Sequence, residues 1–349
     1  MIFSATRPFL FALDGERAHN LTIDALAAWG MLGTPFGGGQ HDPRLATRVA
    51  GLDFGNPLGL AAGVDKNGRA IDGFFGLGFG SVEIGTLTPL PQEGNPKPRL
   101  FRLVEDKAVV NRMGFNNGGI DAALPRATKA KRRGVLGINV GANKDASDRI
   151  ADYVLGVGKA AAVADYVTIN ISSPNTPRLR DLQHGPALAE LLAAADTARR
   201  LPGRQPPLFL KVAPDLDGPA IDAIARAAIE HRIDALIVSN TTIERPFGLT
   251  SSNRSETGGL SGAPLAPLAR TRLADFRSAT GGAMPLISAG GIATGAEAYR
   301  RILAGASLVQ LYSALVYEGP ALARRLCREL SAVLARDGFA NVGDAVGKG

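Results

Sequence analysis

The apolar residues of this chain fall in short runs of four to six, separated by glycine-rich turns and by alanine-rich stretches of helical period. From about residue 45 the pattern repeats as strand, loop, helix. Strand cores are expected at 58–61, 81–85, 136–140, 166–169, 208–211, 235–238, 286–288 and 308–311. Helices are expected at 67–77, 117–132, 149–162, 186–200, 218–230, 265–279, 295–304 and 319–335. Eight strands alternating with eight helices predict an α/β fold closed as a parallel (β/α)8 TIM barrel in preference to an open sheet. Two excursions, 88–116 and 240–263, are rich in Gly, Pro and Asn. In such a barrel, long loops of this kind belong to the active face.

The first 40 residues read differently. Phe3, Phe9, Leu10, Phe11 and Leu13 crowd a first segment, and a second carries Leu21, Ile23, Leu26, Trp29, Met31 and Leu32 with Glu16, Arg17 and Asp24 between them. Gly33-Thr34-Pro35 stops it. The chain therefore divides into an N-terminal helical hairpin, 1–40, and a barrel domain, 41–349, with no low-complexity linker or longer repeat. A hairpin this apolar serves either as a packing lid or as an entry module for a membrane surface or an apolar ligand.

Composition narrows the classes. No apolar run reaches the roughly 18 residues of a membrane span, and the N-terminus lacks the pattern of a secretory signal, so it is read as part of the mature protein. The single cysteine, Cys327, excludes a disulfide framework and suits a reducing compartment. His19, His41, His184 and His231 form no ligand pair, so no metal is expected. A net charge of +7 fits an anionic ligand or lipid surface, but there is no dense basic run with interleaved aromatics, and nucleic acid is not expected as a partner.

The candidate chemistry lies at the strand ends, which converge on one mouth in a parallel barrel. The most distinctive is 164–182, where an apolar run breaks into Asn170-Ile171-Ser172-Ser173-Pro174-Asn175-Thr176-Pro177, a loop stiffened by two prolines. Other strand ends supply Ala62, Gly63, Val64, Asp65 and Lys66, then Thr86, Asn139, Lys211, Ser239, Asn240 and Thr241. The first excursion adds Asn111, Arg112, Met113, Gly114, Phe115 and Asn116. An asparagine amide offers an acceptor and two donors in one plane, which complements a flat heterocycle such as a pyrimidine or a flavin. Lys66 and Lys211 are the two lysines at these positions; one could meet a carboxylate and the other the electron-rich edge of a reduced flavin. Gly290, Gly291, Tyr312 and Ser313 follow the last two strands, where barrels commonly hold phosphate, and Gly262 could add a close backbone approach.

With these residues in place, the sequence resembles the quinone-dependent, class 2 dihydroorotate dehydrogenases over nearly its whole length. The resemblance is carried by LGLAAGVDKNG at 58–68, GNPKPR at 94–99, NRMGFNN at 111–117, NISSPNTP at 170–177 and ETGGLSG at 256–262. It implies an FMN enzyme of pyrimidine biosynthesis that oxidises dihydroorotate to orotate and passes the electrons to a membrane quinone, ubiquinone or menaquinone. Ser173 would be the base that removes the C5 proton while hydride leaves C6 for the flavin N5. Substrate would be held by Lys66, Asn111, Arg112, Met113, Gly114, Phe115, Asn170, Asn175, Asn240 and Thr241. FMN would be held by Ala62, Gly63, Val64, Asp65, Lys66, Thr86, Asn139, Asn170, Lys211, Ser239, Gly262, Gly291, Tyr312 and Ser313.

Class 1 relatives carry cysteine at the position of Ser173 and lack the helical extension; this chain has the serine and the extension. His19 and Arg102 resemble residues lining a quinone tunnel. The transmembrane anchor and transit peptide of mitochondrial relatives are missing, which implies a bacterial enzyme attached peripherally to the cytoplasmic face of the inner membrane; a monomer is expected, with no residue pattern that fixes the oligomeric state. The competing readings are an FMN barrel acting on a reduced pyrimidine within a nucleic acid, and a non-catalytic flavin- or phosphate-binding scaffold.

Overall fold

The expected strands form a closed parallel barrel: β1 Leu58–Leu60, β2 Ser81–Leu87, β3 Val135–Val140, β4 Tyr166–Asn170, β5 Leu208–Val212, β6 Ala235–Val238, β7 Leu286–Ala289 and β8 Ala306–Leu311. They neighbour one another in sequence order, and β8 closes on β1 through Val309 opposite Leu58. The structure is a computed structural model and describes residues 2–38, 42–200 and 203–349; His41 and the division expected between residues 40 and 41 lie outside them.

Helices cover the outside of the barrel and side chains such as Tyr166, Phe209 and Ile237 fill its inside, so both faces of the strands are buried and they read as largely apolar runs. Two polar caps show how the helix starts are fixed: the Asp148 carboxylate accepts the N–H of Ala151 at 3.0 Å, and Asp217 accepts that of Ala220 at 2.9 Å. A hairpin of Thr47–Val49 and Leu52–Phe54 closes the N-terminal end, with Val49 and Phe54 packed among Val135, Phe209 and Ala235. Above that plug, Tyr166 stacks on Phe209 with ring centroids 4.4 Å apart. The Tyr166 ring crosses β3 so closely that a Cβ on Gly137 would lie 2.2 Å from it, which is why that strand position is glycine.

The two excursions pair with each other. Leu100–Leu103, Ala108–Asn111 and Gly259–Gly262 make an antiparallel sheet over one side of the mouth, around Leu103, Ala108, Val110 and Leu260. A short helix, Ser313–Glu318, follows β8 without having been marked in the sequence pattern, and its Tyr317 hydroxyl donates to the Ala108 carbonyl at 2.6 Å, tying it to this sheet. At the N-terminus, α1 Ile2–Ala12 and α2 Gly15–Met31 are joined at Asp14, whose carboxylate accepts the N–H groups of Glu16 and Arg17, both at 3.0 Å. Ile23, Leu26 and Trp29 of α2 pack into the main core, while Phe9, Leu21, Met31, Leu32 and Phe36 remain exposed.

Candidate active site

A cavity of about 720 Å3 runs from the inner faces of α1 and α2 to the C-terminal ends of the barrel strands. Its walls at the barrel end come from Ala62, Gly63, Val64, Lys66, Thr86, Asn170, Ser173, Asn175, Lys211, Ser239, Asn240 and Thr241, with Asn111, Met113, Gly114 and Phe115 from the first excursion. His19, Phe11, Leu10 and Arg102 line it at the helical end. Residues separated by over 200 positions thus share one enclosure, as the convergence of strand ends requires.

The loop after β4 is held by its own polar side chains. The Asn170 amide nitrogen donates to Thr86 Oγ1 at 2.9 Å, and its Oδ1 accepts the Ser172 hydroxyl at 2.7 Å and the Ser172 N–H at 3.2 Å. Asn240 in turn donates to Ser172 Oγ at 2.8 Å. Asn175 donates to the Asn111 carbonyl at 3.1 Å, and Asn95 donates to the Asn175 carbonyl at 3.1 Å, so the proline-stiffened loop is stitched to the first excursion. The buried Ser173 Oγ accepts the Asn175 N–H at 3.2 Å. That contact favours negative charge on the oxygen and leaves the hydroxyl proton free to be handed on.

The charged groups at the junction between barrel and helices perturb one another. The Glu16 carboxylate takes a paired contact from Arg99, Nε at 3.0 Å and Nη2 at 2.7 Å, which holds its carboxyl below the usual range. Lys66 is brought down to about 8 by burial, opposed by Glu16, lowered further by Arg99 and opposed by Asp65. Burial, together with the nearby Lys66 ammonium, drives His19 down to about 3, so its imidazole is neutral. His19 is only partly exposed and lines the cavity. Lys211 is lowered by burial, with Glu83 opposing.

At the other end of the barrel mouth, Gly262, Gly290, Gly291, Tyr312 and Ser313 line the cavity. Gly291 lines the cavity with φ 75°, and a Cβ there would sit 2.5 Å from Ala266 Cα, so close packing against Ala266 keeps this point of the wall as bare backbone. The fully buried Arg301 fixes this turn from behind, donating to Ser288 Oγ at 2.8 Å, Glu297 Oε1 at 2.7 Å and the Gly290 carbonyl at 3.2 Å. Ser313 Oγ donates to Ser261 Oγ at 2.8 Å. Bare backbone with hydroxyls at a helix start suits an anionic group.

Four of the candidate residues, Asp65, Arg112, Asn116 and Asn139, stand off the cavity wall. Arg112 faces the other way: the extended chain alternates its side chains, with Asn111 and Met113 turned in and Arg112 turned out onto Glu256 at 2.7 Å and the Phe101 ring. Asp65 is buried behind Lys66, accepting the N–H groups of Arg69 at 2.8 Å and Ala70 at 2.7 Å. Asn139 lies beneath Thr86, accepting its hydroxyl at 2.6 Å. Conversely, Glu83 in the middle of β2, Gln310 within β8 and Ser172 in the loop after β4 take part in the hydrogen bonding around the site without having been singled out; the visible signal is a polar residue inside an otherwise apolar strand or loop.

A family model described as dihydroorotate dehydrogenase matches residues 44–334. The chain is 58% identical to the dihydroorotate dehydrogenase (quinone) of Erythrobacter litoralis, covering 99% of each. It is 56% identical to that of Sphingopyxis alaskensis, covering 99% of this chain and 97% of the relative. A crystal structure of DHODH in complex with ferulenol from Eimeria tenella matches with a TM-score of 0.90 at 43% identity, covering 95% of both chains. The chain belongs to the dihydroorotate dehydrogenase family of oxidoreductases, beside relatives that carry the quinone-linked name.

Proposed function

We propose that this protein oxidises (S)-dihydroorotate to orotate in pyrimidine (UMP) biosynthesis, holds FMN in the barrel mouth and delivers the electrons to a membrane quinone. The observation that carries the reading is the single cavity joining Ser173 to the inner faces of α1 and α2. A water-filled barrel mouth would serve a soluble acceptor; an apolar passage through a helical pair suits a quinone.

The residues present fit FMN. The bare turn at Gly291 with Ser313 suits its phosphate, Lys211 offers a cation, and Gln310, which also lines the cavity, has its Oε1 buried without a partner among the described residues, an acceptor for a ring N–H. When bound, FMN supplies a hydride acceptor at N5 and the route by which two electrons leave. Ser173 removes the C5 proton, and Lys66 pairs with the substrate carboxylate. The amides of Asn111, Asn170, Asn175 and Asn240, with Thr241, orient the ring; Met113, Gly114 and Phe115 shape its pocket. Among the residues matched by resemblance, Arg112, Asp65 and Asn139 act by holding neighbours in place.

The exposed apolar residues Phe9, Met31, Leu32 and Phe36 gather on the helical pair and its exit, and Met31 and Phe36 are 80% and 99% exposed. They suit insertion into the interfacial zone of the cytoplasmic face of the cell membrane. No helix among the described residues is long and apolar enough to cross a membrane. Arg102 closes the end of α1 by donating to the carbonyls of Leu10 at 2.9 Å, Phe11 at 3.2 Å and Leu13, a cation at a helix C-terminus beside the passage.

The test is turnover of dihydroorotate with a ubiquinone analogue, a menaquinone analogue, fumarate and NAD+ offered separately. Turnover with a quinone is expected; preference for fumarate or NAD+ overturns the acceptor. A second expectation concerns pH. Lys66 carries its charge below about 8, so orotate affinity should be flat at lower pH and weaken by up to about tenfold per unit above it. Calorimetric titration across that range checks this, and an affinity unchanged at high pH would remove Lys66 as the carboxylate partner.

A further inference from the structure

We propose that Glu83 is a positioning residue: through a one-way chain of hydrogen bonds it fixes the Asn170 amide so that this side chain shows the substrate an N–H and no acceptor. The proposal rests on the substrate reading above. Glu83 is fully buried in the middle of β2 and accepts from three donors, Asn139 Nδ2 at 2.8 Å, Tyr166 Oη at 2.9 Å and Gln310 Nε2 at 2.8 Å. Glu83 acts only as an acceptor in these three contacts, so the Asn139 amide must present its nitrogen to it and cannot turn round. Its oxygen therefore faces Thr86, whose hydroxyl donates to it at 2.6 Å. Thr86 Oγ1 is left as the acceptor for Asn170 Nδ2 at 2.9 Å.

The same direction is imposed from the other end. Backbone N–H groups cannot reverse, and that of Ser172 donates to Asn170 Oδ1 at 3.2 Å while that of Thr241 donates to Asn240 Oδ1 at 2.8 Å. Asn240 thus donates to Ser172 Oγ, and the Ser172 hydroxyl donates to Asn170 Oδ1. Both lone pairs of Asn170 Oδ1 are taken by Ser172, and one amide proton is taken by Thr86. One N–H remains. Glu83, Asn139 and Ser172 are all fully buried, so water cannot repair a broken link. A ligand atom meeting Asn170 must consequently be an acceptor, a ring carbonyl or carboxylate oxygen, and a ring N–H at that point is refused.

The test is a double-mutant cycle on orotate affinity in the holoenzyme, with Glu83→Gln, Ser172→Ala and the pair, each checked for flavin content and melting temperature. Glu83 and Ser172 are separated in the chain of bonds by Asn139, Thr86 and Asn170, so a merely structural role for each makes their effects multiply. The relay predicts that each single change weakens orotate about tenfold or more and that the pair falls short of the product by at least about fivefold. A pair equal to the product overturns the proposal. Asn139→Ala with Ser172→Ala repeats the cycle should Glu83→Gln fail to fold, with the same two outcomes. Failure of the unsubstituted holoenzyme to bind orotate would instead overturn the substrate reading, and is distinguished by that measurement alone.

Discussion

Replacing Ser173 with alanine is expected to slow reduction of the bound flavin by dihydroorotate about a hundred- to ten-thousand-fold, the contribution of one positioned acid–base group. The flavin itself should stay bound, because among the described residues the Ser173 hydroxyl makes one hydrogen bond, accepting the Asn175 N–H, and Ser313 at the anion-binding end is held by Ser261 instead. Serine is a weak base in water, so its use demands a site that aids loss of its own proton. Burial excludes competing water, the Asn175 N–H supports charge on Oγ, and the flanking prolines restrict the loop that carries it. Rapid-mixing measurement of flavin bleaching separates this step from electron transfer to quinone. A rate within a few-fold of the unsubstituted enzyme, with normal orotate affinity, would remove Ser173 from the chemistry; Ser173→Cys should recover part of the rate, since a thiol ionises more readily.

Much of this arrangement is legible from the residues, and the physical reasons differ from part to part. The eight strands are legible because a closed parallel barrel buries both faces of each one, leaving apolar runs such as Ala235-Leu236-Ile237-Val238 unmistakable. The strand ends are legible because the fold brings them together whatever their sequence separation. The sheet linking Gly259–Gly262 to Ala108–Asn111 is not, since its pairing spans 148 residues between Gly259 and Asn111 and neither partner has a strong alternating pattern. Arg112 sits within a motif whose neighbours line the cavity, and only the side-chain alternation imposed by that pairing reveals that it points to Glu256. Glu83 is hidden for a related reason: a lone acid in an apolar strand reads as an isolated anomaly until Tyr166 and Gln310, from strands distant in the chain, are placed around it.

Arg99→Ala is expected to destabilise the docking of the helical pair by about 3 kcal/mol, the lower end of the range for breaking a buried ion pair. Arg99 and Glu16 are both nearly inaccessible, and Arg99 also donates to the carbonyls of Glu93 at 2.5 Å and Asn95 at 2.8 Å, so its loss strands a carboxylate and frees the loop beneath it. Lys97, 3.6 Å from Glu16, moderates the loss. The sign of the pH dependence follows from Glu16, whose folded carboxyl is held below its ordinary value chiefly by Arg99. The pair stabilises the protein fully above the unfolded carboxyl pKa, about 4.3, and that contribution is lost as pH falls through the lower folded value. The gap in melting temperature between the two proteins should therefore be widest near neutrality and narrow in acid. Because α2 carries His19 and walls the passage while Ser173 and the amides sit on the barrel, quinone turnover should fall further than flavin reduction by dihydroorotate. Equal losses in the two half-reactions would mean that the helical pair supports the whole barrel and does not form a separate route for the acceptor.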